Sequence, residues 1–260
     1  MSDVVRLEYR NVTMRFVERS GKSLTAVERV SLAVADGEVV SLIGPSGCGK
    51  STLLNIGSGL CAPSEGEAFV GGERVEGPNA HVAFMLQKDL LLPWRTVIAN
   101  VVLGLEIAGI DPAAARDRAA VMLDRLGMQG FAGVYPATLS GGQRQRAALA
   151  RTLVTNPEVM LLDEPFAALD FQSKLLIEND TAALVRSEHR AVLLITHDVE
   201  EAVSMSDRVL VLSQRPTSVV RTYDIDLPGA RTDMMEARKS PGFQDYVRAI
   251  WDDLQPASNR

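Results

Sequence analysis

Cysteine is scarce: Cys48 and Cys61 are the only two. A disulfide framework is therefore not expected, and a reducing cytoplasm is the natural setting. Of the few histidines, His81 and His189 stand at no metal-ligand spacing from either cysteine, so no metal site built by the protein alone is expected. No apolar run approaches the roughly 18 residues needed to cross a bilayer. The opening MSDVVRLEYR carries charges where a secretion signal requires an apolar stretch. A soluble chain is expected, with any membrane role coming through a partner. Basic charge is short as well: Lys+Arg 27 against Asp+Glu 33 leaves a net charge of −6. That is a poor basis for broad electrostatic binding, so nucleic acid is not expected as a partner. Repeats and low-complexity tracts are absent.

What is present is ordinary globular composition, 46% hydrophobic and 23% charged over 260 residues, enough for a sizeable core in one large α/β domain or two modest ones. Four apolar runs, Val39–Ile43, Val159–Leu162, Ala191–Ile195 and Val209–Leu212, are continuous rather than alternating, as parallel strands covered on both faces require. Helical patterns over Ser51–Leu60, Gln143–Thr155, Phe171–Glu188 and Val199–Ser206 separate them. The fold class read from this is α/β with a mostly parallel sheet. Val5–Tyr9, Thr25–Ala35 and Glu67–Val70 alternate more and predict an antiparallel β portion. An Ala- and Leu-rich stretch predicts a helical insertion, including a helix over Ala113–Leu126. The expected organisation is an α/β core with its antiparallel portion over 1–89 and 155–215, a helical subdomain over 90–154, and a tail over 216–260 that wraps the surface before a last helix at Phe243–Leu254.

Gly44-Pro45-Ser46-Gly47-Cys48-Gly49-Lys50-Ser51, continued by Thr52, fits G-x-x-x-x-G-K-[ST] between an apolar strand and a helix. Glycines let backbone N–H groups curl around phosphate oxygens, and the helix adds its unpaired N–H groups and positive end. Lys50 would place its ammonium between β- and γ-phosphates, and the Ser51 hydroxyl would coordinate Mg²⁺. Val159–Leu162 then delivers Asp163 to the carboxyl edge of the sheet, where it can hold Mg²⁺ through water. Glu164, one residue on, could orient and deprotonate an attacking water. Together these two motifs predict a P-loop nucleoside triphosphatase. The acidic pair taken alone could instead cap the next helix.

Leu139-Ser140-Gly141-Gly142-Gln143, followed by Arg144-Gln145-Arg146, is a small-residue helix start suited to an anion. In this order and spacing it looks like the ABC signature. The chain resembles an ABC transporter nucleotide-binding subunit over nearly its whole length, and the fold this implies is the ABC-type P-loop domain. The resemblance implies that Gln87 senses Mg²⁺ and the attacking water, that Asp170 lies in a loop crossing a dimer interface, and that His197 contacts the γ-phosphate. Phe16 stands where the family puts an adenine-stacking aromatic, with Tyr9 as competitor. Ser140, Gly141, Gly142 and Gln143 would cap the γ-phosphate of the opposite subunit, so that two ATP molecules lie between two copies. Arg144, Arg146 and Arg151 read as a salt-bridged helix face.

Leu92-Pro93-Trp94-Arg95-Thr96-Val97, the segment from Thr196 to Ala202, and Leu212-Ser213-Gln214-Arg215-Pro216 are similar to the nitrate/sulfonate/taurine importer group. Membership implies separate integral-membrane permease subunits, a solute-binding protein in the complex, a dimer of ATPase subunits, and a peripheral position on the cytoplasmic face of the inner membrane. The short stretch after Arg215 would leave no room for the regulatory β-domain of sugar-importer ATPases. Leu90–Leu105 would either line the groove that receives the permease or fill the helical subdomain's core.

Overall fold

A strand with no polar alternation must be covered on both faces, and the four continuous runs lie side by side in one sheet. A computed structural model describes residues 4–17, 21–167, 169, 171–227 and 233–255. In chain order these form β1 (Val5–Val17), β2 (Ser23–Ala35), β3 (Val39–Ile43), α1 (Lys50–Gly57), β4 (Glu65–Val70), β5 (Glu73–Arg74) and β6 (Val82–Met85). The helical stretch follows as α2 (Val97–Val101), α3 (Leu103–Ile107), α4 (Pro112–Arg125) and α5 (Gly141–Leu153). The chain then alternates through β7 (Val159–Asp163), α6 (Phe171–Ser187), β8 (Ala191–Ile195), α7 (Val199–Met205) and β9 (Arg208–Leu212). It finishes with β10 (Val219–Asp224), α8 (Met234–Lys239) and α9 (Phe243–Leu254).

The larger sheet has the order β10-β9-β3-β8-β7-β6 and is parallel except for β10. Every residue of β3, β7 and β8 is buried, so both faces are covered. The order places the carboxyl ends of β3 and β7 on either side of β8, which opens the crevice where α/β sheets bind ligands. The smaller sheet, β2-β1-β4-β5, is antiparallel. Its inner residues Leu7, Val27 and Val34 share one apolar cluster with Leu53 and Leu54 of α1 and Leu161 of β7. The phosphate-loop helix is thus packed between the two sheets.

Tyr9 sits in this interface at 1% exposure, and its hydroxyl donates to the Leu53 carbonyl at 2.8 Å. Burial pushes its phenol far up, so it stays a donor at any working pH. Tyr9→Phe is expected to cost about 1–2 kcal/mol by leaving that buried carbonyl one partner short. The measurement is the melting temperature, with a fall of a few degrees. An unchanged melting temperature would mean that the hydroxyl holds nothing.

Helices α2 to α5 share their apolar cluster with the other face of the large sheet: Val97, Leu123 and Leu149 belong with Met160, Leu162 and Phe166. Within Leu90–Leu105 the two expectations divide by residue. Val97, Val101 and Leu105 are core, whereas Leu90 and Trp94 are 53% and 72% exposed. Asn100, fully buried, fixes the bend beneath Trp94 by accepting from the Leu92 N–H at 2.7 Å and donating to the carbonyls of Leu92, Arg95 and Thr96.

The tail holds more structure than its prolines suggest. β10 extends the sheet beside β9, and α8 precedes α9, the helix expected at Phe243–Leu254. Ile225, Leu227, Phe243 and Ile250 then form a third cluster with Ile43, Val203 and Val211. Single apolar positions between turn residues offer no period to read.

Candidate active site

The phosphate loop turns on glycines that side chains would block. Gly47 and Gly49 have φ of 71° and 133°. A Cβ on Gly49 would sit 3.0 Å from the Ala26 carbonyl oxygen. Gly49 also caps α1 without a side chain, which leaves the helix's first N–H groups for a ligand. Lys50 is folded into the loop, donating to the carbonyls of Gly44 at 2.7 Å and Pro45 at 3.0 Å. Cys48 is buried beneath, its sulfur 3.9 Å from the Lys50 ammonium.

β7 brings Asp163 to this loop, where it is hydrogen-bonded to Ser51. Burial raises the Asp163 carboxyl above its ordinary value and the charge of Glu164 adds to that, while Ser51 and Lys50 oppose it. A carboxylate and a hydroxyl side by side beneath a phosphate loop are the hard oxygen donors that suit Mg²⁺, which keeps water and phosphate oxygens as its other ligands. Among the described residues, no group of three or more His, Cys, Asp or Glu could hold a metal without a nucleotide.

Glu164 adopts φ +47°, a left-handed conformation that costs a non-glycine residue on the order of 1–3 kcal/mol. Its N–H is held by the Ile195 carbonyl of β8 at 2.9 Å. The turn aims the carboxylate across the crevice. There its Oε2 accepts from Gln87 Nε2 at 2.8 Å and lies 3.3 Å from His197 Nδ1. Gln87 follows β6 and His197 follows β8, so three strand ends converge on one oxygen. The cavity is about 470 Å³, lined by Gly44, Ser46, Gly47, Gly49, Lys50, Ser51 and Thr52 on one side and by Gln87, Asp163, Glu164 and His197 on the other. Such a space offers a cation and backbone donors for phosphate, oxygen ligands for a metal, and a carboxylate placed to take a proton from water.

Two expected contributors, the Ser140–Gln143 segment and Phe16, lie elsewhere. Ser140, Gly141, Gly142 and Gln143 do not line the cavity. They start α5 in a capping box, with the Ser140 hydroxyl accepting from the Gln143 N–H at 3.2 Å and the Gln143 side chain accepting from the Ser140 N–H at 2.9 Å. Phe16 is on β1, 43% exposed and also outside the cavity, while the buried Tyr9 has no face to offer a base. Asp170 lies outside the described residues.

The signature helix is nonetheless tied to the cavity by residues whose spacing in the chain suggests no such part. Arg144 pairs with Asp89 at 3.2 Å and Arg151 donates to the Leu90 carbonyl at 2.8 Å, so two cations of α5 grip the loop that follows Gln87. The buried Gln145 donates to the Pro165 carbonyl, next to Glu164. Arg146 bonds the Leu126 carbonyl at 2.8 Å. The expected salt-bridged face is therefore also a mechanical link, and only the fold reveals what the arginines grip.

Residues 27–167 match the family model described as ABC transporter. The chain belongs to the ABC transporter family. An uncharacterised ABC transporter ATP-binding protein of Methanocaldococcus jannaschii is 42% identical over 96% of this chain and 92% of its own length. A taurine import ATP-binding protein of Rhizobium johnstonii is 39% identical over 97% of this chain and 100% of its own. A nitrate import ATP-binding protein of Synechocystis sp. is 41% identical over 95% and 94%. The dimeric structure of MJ0796, a bacterial ABC transporter cassette, superposes with a TM-score of 0.77 at 31% identity, covering 85% of this chain and 99% of that one. The same cassette in a post-hydrolysis state with ADP and phosphate gives a TM-score of 0.76. This ABC protein is an ATP-binding cassette with ATPase activity, and its fold is the ABC-type P-loop domain. No helix among the described residues is long and apolar enough to cross a membrane.

Proposed function

We propose that this cassette powers an importer: two copies close on two ATP molecules, and hydrolysis reopens them to drive uptake of a small solute through a separate permease. The observation that carries the reading is the split site. Gln87, Glu164 and His197 gather with Lys50, Ser51 and Asp163 around one cavity, while the anion-suited start of α5 is absent from it. A second copy facing head to tail would bring its Ser140–Gln143 to the open side and its Asp170 to the interface.

Within the site, Lys50 and the free backbone N–H groups of the Gly44–Ser51 loop hold the phosphates. Ser51 and Asp163 would hold Mg²⁺, with Gln87 beside them, and the ion would supply positive charge against the charge that develops on the phosphates. Glu164 orients the attacking water and takes its proton, His197 contacts the γ-phosphate, and Phe16 supplies the ring for adenine. ATP favours the closed pair through γ-phosphate contacts that ADP cannot make, and that difference in affinity is what a switch requires.

The taurine and nitrate import names of the relatives support a sulfonate-, taurine- or nitrate-like solute. They also support permease subunits and a solute-binding protein as partners, and a peripheral place on the cytoplasmic face of the inner membrane. Exposed Leu90, whose carbonyl Arg151 holds, and Trp94, on the bend that buried Asn100 fixes, suit the permease contact. The test is to purify the chain with the membrane protein encoded beside it and to measure ATP hydrolysis by the assembled complex with Mg²⁺. Hydrolysis stimulated by solute-loaded binding protein is expected. An assembled complex that binds ATP but never turns it over would refute the reading.

A further inference from the structure

Between β9 and β10 the chain makes a tight turn that is built onto the phosphate loop. Ser218 donates its N–H to the Ser213 hydroxyl at 2.9 Å, and the Ser213 N–H returns to the Ser218 carbonyl at 3.0 Å. Thr217, fully buried, donates its N–H to the Ala26 carbonyl at 3.0 Å, and its hydroxyl donates to the carbonyl of Cys48. Gly44 and Gly49 complete the fit, since a Cβ on either would meet Leu212 or Thr217 at 3.0–3.2 Å. Turn and loop thus hold each other at fixed distance.

Arg215 projects from this turn. Its Nη2 lies 3.6 Å from where a Cβ of Gly47 would stand, and the side chain lines the phosphate cavity. It is exposed, and among the described residues no hydrogen bond or ion pair holds its guanidinium. The chain's other arginines near the site behave differently: Arg144 and Arg151 are bound to a carboxylate or to carbonyls. Within the cavity the permanent cations are Lys50 and Arg215, facing the carboxylates of Asp163 and Glu164. A free guanidinium at the lip of a phosphate loop, in a chain of net charge −6, is placed for an anion that arrives with the ligand.

We propose that Arg215 contacts the phosphates of the bound nucleotide, as a second cation beside Lys50, in both the ATP and the ADP complex. This rests on the nucleotide reading of the cavity and adds a residue to it. Nucleotide affinity should be compared for the full-length wild type, Arg215→Met, Arg215→Lys and Lys50→Ala, using ADP with Mg²⁺ at a concentration where the chain stays monomeric. Arg215→Met is expected to weaken ADP binding by about 10–100-fold, the effect of losing one charge-assisted contact. Arg215→Lys should recover part of the loss, because it keeps the charge but not the paired donors. ADP affinity of Arg215→Met within about two-fold of wild type, while Lys50→Ala is strongly impaired, would overturn the proposal and leave the nucleotide site standing. Loss of ATP-driven pairing with ADP affinity intact would also overturn it, because the guanidinium would then serve the facing copy. A wild type that binds neither ADP nor ATP would instead remove the nucleotide reading on which the proposal rests.

Discussion

Replacing Glu164 by Gln is expected to leave ATP binding intact while turnover falls by about 10²–10⁴, the range associated with a positioned general base. The geometry makes this a clean substitution. The Glu164 carboxylate is held by Gln87 Nε2 at 2.8 Å and lies beside His197, and an amide of the same shape can still accept from Gln87 through its oxygen. Its backbone conformation, φ +47°, is set by the strand end and does not depend on the charge. What the amide lacks is the capacity to take a proton from water. ATP would therefore stay uncleaved, and a pair of subunits held by γ-phosphate contacts would have no route to reopen. Light scattering with ATP and Mg²⁺ should report a dimer that wild type forms only transiently. Turnover near the wild-type rate, or a variant that stays monomeric with ATP, would show that Glu164 is not the general base.

The phosphate loop and the strand that ends in Asp163 were legible because local rules coincide there. Continuous apolar runs marked the strands, the glycine-rich string between strand and helix marked the loop, and spacing fixed the carboxylates at a sheet edge. Phe16 and Tyr9 could not be separated on the same grounds. β1 shifts register between Tyr9 and Val12 and again before Met14, so the alternation that buries Leu7 and Tyr9 is broken before it reaches Phe16. Arg215 was visible in the string Ser213-Gln214-Arg215-Pro216, yet nothing in that string says that a turn between β9 and β10 leans on a loop near the amino end. The most consequential omission lies in α6. Lys174 and Glu178, four residues apart on the helix, have the spacing of a common surface ion pair, and nothing local marks them as buried. Tertiary packing turns them into the centre of a buried charge cluster.

That cluster sets the last expectation: Lys174→Met should lower the melting temperature steeply, and more so in alkaline than in acidic buffer. Lys174 Nζ lies 2.6 Å from Asp198 Oδ2, 2.8 Å from Glu201 Oε2 and 3.5 Å from Glu178 Oε1, and Arg238 of α8 approaches Glu178 at 3.7 Å. Three carboxyls thus meet two cations, with Glu178 and Glu201 at 0% and 2% exposure. Burial, with the charge of Glu201 next, pushes the Glu178 carboxyl up to about 8 against the pull of Lys174 and Arg238. Burial raises Glu201 as well. At Asp198 the burial effect is overcome by the bonds from Lys174 and the Glu201 N–H, so that carboxyl is lowered. The two signs act in different windows. A group raised in the folded state binds a proton that the unfolded chain has lost, so its contribution is full below about pH 4.5 and fades as pH rises through about 8. The contribution of Asp198 is lost only in strong acid, as pH falls through its lowered value. Removing Lys174 strips two buried carboxyls of their principal cation, a change worth about 3–5 kcal/mol, or on the order of 10 °C. Protons can replace part of that cation at pH 5.5 but not at pH 8.5, so the deficit should widen between the two. The consequence reaches the site, because Asp198 caps α7 through the N–H groups of Glu200 and Glu201 and directly follows His197. A loose Asp198 would leave the imidazole without a fixed approach to Glu164. Melting curves at the two pH values decide the matter: an equal loss at both, or a loss under about 2 °C, would mean that Lys174 does not neutralise this interior.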